Sequence, residues 1–259
     1  FKLKAYMVEV YKQDIIDLLS DKPGRGRSLE VKRDLGHGMV YIDGVTEREI
    51  TSPEDLKSAM AEGEKKRHVT ATRMNATSSR SHLLFSVIIE CFNKDTQQRM
   101  HGKITLCDLA GSERPKKSEV SGDALKEAIE INKSLSALGD VIEALTKGSK
   151  SVPYRNHKLT MLMQDSLGGS AKTLMFVNCS PAASNFEETQ MSLKWASRAR
   201  QVMNDVKRNA DSKEVARLKQ VIKMMSAAQN AQEEPGAAPE RKDAQDTAAL
   251  RAGMGLLSS

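Results

Sequence analysis

The sequence predicts an α/β fold, a central and mostly parallel sheet flanked by helices. Three observations predict it. Residues 83–92 are apolar at nearly every position, and residues 1–11, 103–107 and 173–179 are largely apolar, as strands buried on both faces are. Segments whose apolar residues recur every three or four positions alternate with them, as core-packed helices do. Short polar motifs adjoin two of these strands, and Asp108 stands at the carboxyl end of one, where ligands bind in open α/β sheets.

Taken in order, the first strand places Leu3, Ala5 and Met7 on one side and Tyr6, Val8 and Val10 on the other. A short helix is expected at 14–19, then a Gly/Arg loop at 23–27. Leu29 to Val31 and Met39 to Ile42 read as a hairpin turning at Asp34-Leu35-Gly36-His37-Gly38. Ser52-Pro53-Glu54-Asp55 is a helix start, with an N-cap serine, proline at the first helical position and acids in the first turn. Leu56 and Met60 give that helix an apolar face, and it runs toward Arg67. Residues 114–122 read as a polar loop carrying Lys116 and Lys117. From Asp123 onward Ile131, Leu135, Leu138, Ile142 and Leu145 mark one long amphipathic helix. Arg155 and Lys158 lie three apart, so one helical turn would present both on one side. A further helix is expected over 159–167, ending at Gly168-Gly169. After the strand at 173–179 comes a helix over 187–202 whose Trp195 reads as core. Val215, Leu218, Ile222 and Met225 then mark a short basic amphipathic helix, and from Gln229 the Ala/Glu/Gln/Pro/Gly-rich composition reads as disordered.

Composition narrows the function classes. Of 259 residues 29% are charged and 39% hydrophobic, ordinary for a soluble protein, and the length suits one large domain with a sizeable core or two small ones. No apolar run approaches a membrane span and no signal peptide heads the chain, so an intracellular soluble protein is expected. Cys91, Cys107 and Cys179 are far apart without ligand spacing and read as buried free thiols; no structural metal is expected. The net charge of +6 and pI near 9.1 fit a partner with an acidic surface. Aromatics are only 4% and no basic stripe is interleaved with stacking side chains, which argues against nucleic acid.

The chemistry concentrates in two motifs, Asn75-Ala76-Thr77-Ser78-Ser79-Arg80-Ser81-His82 and Asp108-Leu109-Ala110-Gly111-Ser112-Glu113. An aspartate at a strand tip can hold Mg²⁺, usually through water, and a nearby serine hydroxyl can complete its oxygen shell. Gly111 has no side chain, so its backbone N–H can approach a terminal phosphate. Arg80 and Glu113 are of opposite charge and can pair as a latch when the two loops close.

N-x-x-S-S-R-S-H followed by D-L-A-G-S-E resembles switch I and switch II of the kinesin motor domain. Ile131-Asn132-Lys133-Ser134-Leu135-Ser136-Ala137-Leu138-Gly139 resembles the kinesin switch II helix, and Pro153-Tyr154-Arg155-Asn156-His157-Lys158-Leu159-Thr160 the microtubule-facing segment after it. The resemblance covers about residues 1–208. It implies a three-layer, P-loop NTPase-type motor domain, with a neck-like basic helix at 209–228 and a disordered tail at 229–259. It implies ATP and Mg²⁺ as cofactors. Asn75, Ser78, Ser79 and Asp108 are then nucleotide and Mg²⁺ residues, the ion being held through Ser79 and Asp108, while Arg80, Gly111 and Glu113 are catalytic. Microtubule contacts fall to Lys32, Arg33, Lys116, Lys117, Asn132, Lys133, Arg155 and Lys158. For Lys32 and Arg33 a solvated basic loop is the alternative.

Ser212-Lys213-Glu214-Val215-Ala216-Arg217-Leu218-Lys219 is similar to the segment after the motor in kinesin-like calmodulin-binding proteins, which are minus-end-directed, C-terminal-motor kinesins. That likeness implies calmodulin or another calcium sensor as a partner of Arg217, Lys219, Ile222, Lys223, Met224 and Met225. The helix has no aromatic anchor, and a simply docked terminal helix is the other reading. A homodimer formed through a coiled coil outside these residues, and a cytoplasmic place on microtubules, are implied by the same likeness. The phosphate-binding loop G-x-x-x-x-G-K-[ST] does not occur in these residues. The chain opens on a central strand, so the carboxyl-terminal half of a motor domain is expected. The competing function is a non-catalytic, microtubule-binding motor-like module.

Overall fold

A computed structural model describes residues 1–21, 29–34, 36–74, 78–112 and 122–204, with Val221, Met224 and Met225. The chain separates into two units, Phe1–Asp211 and Ser212–Ser259. In the second unit the three described residues are helical and exposed.

The first unit is built on β1 (Lys2–Tyr11), whose alternation buries both faces as expected. Tyr6, Val8 and Val10 enter one apolar cluster with Leu84, Leu138, Ile142, Leu159 and Leu162. Ala5 and Met7 enter a second with Leu18, Leu19, Ile50, Ala59 and Phe85. One strand between two cores produces three layers: helix α1 (Pro53–Met74), the sheet, and the group α2 (Asp123–Thr146), α3 (Lys158–Leu162) and α5 (Phe186–Ala199). Helix α1 lies close on β1, since a Cβ on Gly63 would stand 2.1 Å from the Met7 sulfur. Its start is a reciprocal cap: Asp55 N–H donates to Ser52 Oγ at 3.1 Å and Ser52 N–H to Asp55 Oδ2 at 2.9 Å.

The sheet runs β2 (Asp14–Asp17), β1, β6 (His82–Asn93), β7 (Gln98–Asp108), with β5 (Arg48–Ile50) also on β1. Every described ladder is antiparallel, where a mostly parallel sheet was expected. For two of these ladders the connection decides it, because a two-residue turn joins β1 to β2 and a four-residue turn joins β6 to β7, too short for parallel crossovers. Residues 14–17 are correspondingly a strand and not the expected helix. Lys12, at φ 55°, turns the chain back, and Asp17 Oδ1 then accepts the Leu19 and Ser20 amides.

The hairpin expected near 29–42 is present as β3 (Glu30–Arg33) and β4 (Val40–Asp43). It is tied to the body by Lys103 and Asp165, paired at 2.6 Å. Asp165 Oδ2 accepts the Val40 N–H and Lys103 Nζ donates to the Val40 carbonyl. The helix expected over 159–167 is instead two short ones, α3 and α4 (Gln164–Leu167), split at Met163.

Two strand expectations fail in burial. Residues 173–179 have no ladder partner among the described residues, and Leu174 and Phe176 are 79% and 80% exposed. β7 ends the sheet path and leaves Ile104 and Leu106 more than half exposed. An apolar run stays unburied where no neighbouring element covers it. Trp195 is half-buried against the first core, on α5. The three thiols are free, but Cys179 is exposed and Cys91 and Cys107 are half-buried, so the expected burial is incomplete. Burial, followed by the Asp108 charge, pushes the Cys107 thiol up to about 12.

Candidate functional site

The site forms where β7 ends and β6 begins. The Leu83–Asp108 register puts Asp108 beside the residue following His82, so both motifs meet at one end of the sheet. Ser78–Arg80 form a 3₁₀ turn, and Gly111 N–H donates to the Ser79 carbonyl at 2.8 Å. The two loops are therefore joined through their backbones. Ser79 is exposed, and the Asp108 carboxylate, 66% exposed, faces outward. An exposed carboxylate and an exposed serine, on two loops joined through their backbones, are oxygen donors of the kind Mg²⁺ accepts when phosphates supply the rest. Among the described residues no group of three or more His, Cys, Asp or Glu could hold a metal alone. Asn75 and Glu113 lie outside the described residues, and Ser78 is described in its backbone only.

Arg80 is held at Glu127 of α2, Nη1 to Oε2 at 2.8 Å, and Tyr11 O–H donates to the other Glu127 oxygen at 2.6 Å. Burial first, then the carboxylate it donates to, pushes the Tyr11 phenol up to about 12. Glu127 was not singled out in the sequence. Neither was Arg67, which lies on α1 outside both motifs yet is buried against this site. Its Nη1 donates to Asp108 Oδ2 at 3.1 Å and its Nη2 to the Ser81 carbonyl at 3.2 Å. Its Nε stands 3.5 Å from Glu9 Oε1, which also accepts the Ser81 hydroxyl at 2.5 Å. Buried charges persist only when paired. The one sequence signal was an arginine in the helix leading into the first motif.

His82 is the third such residue, and it lies within the first motif, where it carried no role. Its Nδ1 accepts the Ala110 N–H at 2.9 Å and its Nε2 lies 2.7 Å from Ser134 Oγ on α2. Burial first, then the His157 charge, lowers its pKa to about 4, so the ring is neutral.

The basic residues are spread over several elements. Lys32 and Arg33 lie on β3, where Lys32 pairs with Asp43 at 2.6 Å and Arg33 Nε donates to the Gly38 carbonyl. The Asp43 partner holds the Lys32 ammonium above its ordinary range. Asn132 and Lys133 are on α2, with Lys133 paired to Glu130. Arg155 lies in a 3₁₀ turn (Tyr154–Asn156), whereas Lys158 opens α3. The two do not share the one helical turn expected of them, because extended His157 stands between and caps α3 by accepting the Leu159 N–H at 3.1 Å. Lys116, Lys117, Arg217, Lys219, Ile222 and Lys223 lie outside the described residues. Met224 and Met225 are 67% and 63% exposed.

Residues 1–202 match the family described as "Kinesin motor domain". Over 222 residues, 86% of this chain, the sequence is 55% identical to "Kinesin-like protein KIN-14E" of Arabidopsis thaliana and 54% identical to "Kinesin-like protein KIN-14I" of Oryza sativa subsp. japonica. The chain spans only 18% of the length of either relative. Among solved structures, that of a fast kinesin superposes with a TM-score of 0.73 at 41% identity, covering 82% of this chain and 59% of its own. The C-terminal motor and motor homology domain of Kar3Vik1, fused to a synthetic coiled coil, gives 0.67 at 41% identity, with 76% and 51% covered.

Proposed function

The chain belongs to the kinesin motor-domain family, and from that premise we propose that it is the phosphate-sensing, filament-binding part of an ATP-driven microtubule motor. The Gly111–Ser79 backbone bond carries this reading, because it joins both switch motifs beside an outward-facing Asp108. Mg²⁺·ATP, when bound, would supply a γ-phosphoryl group and the metal charge that offsets it. Asp108 and Ser79 would hold the ion. Gly111 N–H, which donates to the Ser79 carbonyl, would be the donor offered to a terminal phosphate oxygen. Arg80 leaves Glu127 to pair with Glu113 when the loops close. Positioning and charge stabilisation suffice for this chemistry, and no residue here has to act as a strong general base.

Filament affinity then follows phosphate state through α2, with Asn132, Lys133, Arg155 and Lys158 as contacts on or near it, Lys32 and Arg33 on the β3–β4 lobe, and Lys116 and Lys117 as further contacts. The likeness to the two KIN-14 proteins and to the Kar3Vik1 C-terminal motor supports minus-end movement. Homodimerisation, a cytoplasmic place on microtubules, and a calcium-sensor site over 217–225 with exposed Met224 and Met225 belong to the same proposal. So do the bounds of motor, neck-like helix and tail at 1–208, 209–228 and 229–259.

One observation favours the second reading, a filament-binding module without turnover: no G-x-x-x-x-G-K-[ST] loop occurs among the 259 residues. Microtubule co-sedimentation with ADP, with a non-hydrolysable ATP analogue and without nucleotide separates the two. The motor reading expects saturable pelleting whose affinity differs between these states. Saturable pelleting indifferent to nucleotide would assign this chain to the filament-binding reading.

A further inference from the structure

We propose that His82 is a positioning residue, the joint through which the Ala110–Gly111 backbone and helix α2 move together. The proposal deepens the reading above, which supplies its consequence for filament binding.

Donor and acceptor directions leave one arrangement. The Ala110 N–H can only donate, so the Nδ1 it meets at 2.9 Å carries no proton. A neutral ring then carries its proton on Nε2 and donates it to Ser134 Oγ at 2.7 Å. The Ser134 hydroxyl, having accepted, donates onward to the Ile131 carbonyl at 2.5 Å. Each donor is used once, in one direction.

Burial makes this chain mechanically exclusive. His82, Ser134 and Ala110 are 2%, 1% and 5% exposed, so a group that loses its partner has no water to turn to. The ring itself is anchored, because His82 opens β6 and lies opposite Val10 of the central strand. Its two partners sit on two different elements, the loop after β7 and helix α2, which are those that move with phosphate state in the reading above. Ala110 also precedes Gly111, whose N–H holds Ser79, so the chain is continuous from the first motif to the helix. A satisfied core histidine needs two partners but does not need them on two separately displaceable elements.

The test needs neither nucleotide nor filament. In the 259-residue chain, amide hydrogen exchange and imidazole ¹⁵N resonances are measured for Ser134→Ala, with Ser136→Ala as control, since Ser136 lies exposed on the same helix. Ser134→Ala is expected to speed exchange at Ala110 and Gly111 by about tenfold relative to the Val8 amide of β1, and to move the His82 Nε2 resonance. Ser136→Ala is expected to change neither, and Ser134→Thr, which keeps a hydroxyl, to restore slow exchange. Exchange at Ala110 and Gly111 that stays within about twofold of the unsubstituted chain in Ser134→Ala would reduce His82 to a core residue. Pelleting that ignores nucleotide would overturn the functional reading and leave the joint standing, so the two fail separately.

Discussion

Lys103→Met removes the cation from one of the two most enclosed ion pairs among the described residues. Lys103 and Asp165 are 2.6 Å apart with side chains 7% and 9% exposed, and they close a ring with both backbone groups of Val40. The lone substitution leaves the Asp165 carboxylate buried with the Val40 N–H and no counter-charge, at a cost of about 3–5 kcal/mol. Asp165→Asn alone strands the ammonium in the same way. The double variant Lys103→Met/Asp165→Asn behaves differently, since the amide oxygen still accepts the Val40 N–H and only the Val40 carbonyl loses its donor. It should cost about 1–2 kcal/mol, less than either single change. Urea unfolding at constant slope gives these differences, and hydrogen exchange at Val40 shows whether the β3–β4 lobe loosens first. A Lys103→Met loss below about 1 kcal/mol, or a double variant equal to the sum of the singles, would refute the argument.

Three further outcomes are expected from the geometry. Because the folded His82 pKa is about 4 and its ordinary value 6.5, the unfolded chain takes up this proton first. Stability is then unaffected above pH 6.5, falls by up to ~3 kcal/mol between pH 6.5 and 4, and levels below that. The charged groups acting on the ring are His157 and Arg67, which lower its pKa, and Asp108, which raises it, so a His82→Gln variant with an undiminished slope would place the effect elsewhere. A double-mutant cycle on Arg80→Ala and Glu127→Gln should give a coupling of about 0.5–1 kcal/mol, and a coupling of zero would mean that the pair is not populated in solution. Leu106→Lys places a charge at an exposed position on the β7 edge and should lower concentration-dependent light scattering while changing stability by less than about 0.5 kcal/mol; unchanged scattering would mean the edge does not mediate association.

Local chemistry was legible where its cause lay within a few residues and in the usual residue types. The Ser52–Asp55 cap is one example, and the two-faced burial of β1 is another. Residues 14–17 were misread because four residues fit either period, and the positive φ that makes them a strand falls on Lys12, where no glycine marks it. The break at His157 was missed for a related reason. Its ring supplies the cap of α3 in place of the usual serine or aspartate.

The two motifs determined the family by resemblance, which implied the three layers, and with the apolar runs they determined the end of the sheet where Asp108 stands, because these depend on residue types at short, fixed spacings. The partners of those motifs were decided only by tertiary structure. His82 meets Ser134 across 52 positions, Tyr11 meets Glu127 across 116, and Val40 meets Asp165 across 125. Which buried charge or hydroxyl finds which partner depends on how strands register and helices dock. Burial of an apolar run likewise depends on a neighbour, which is why residues 173–179 read as a core strand and yet stand exposed.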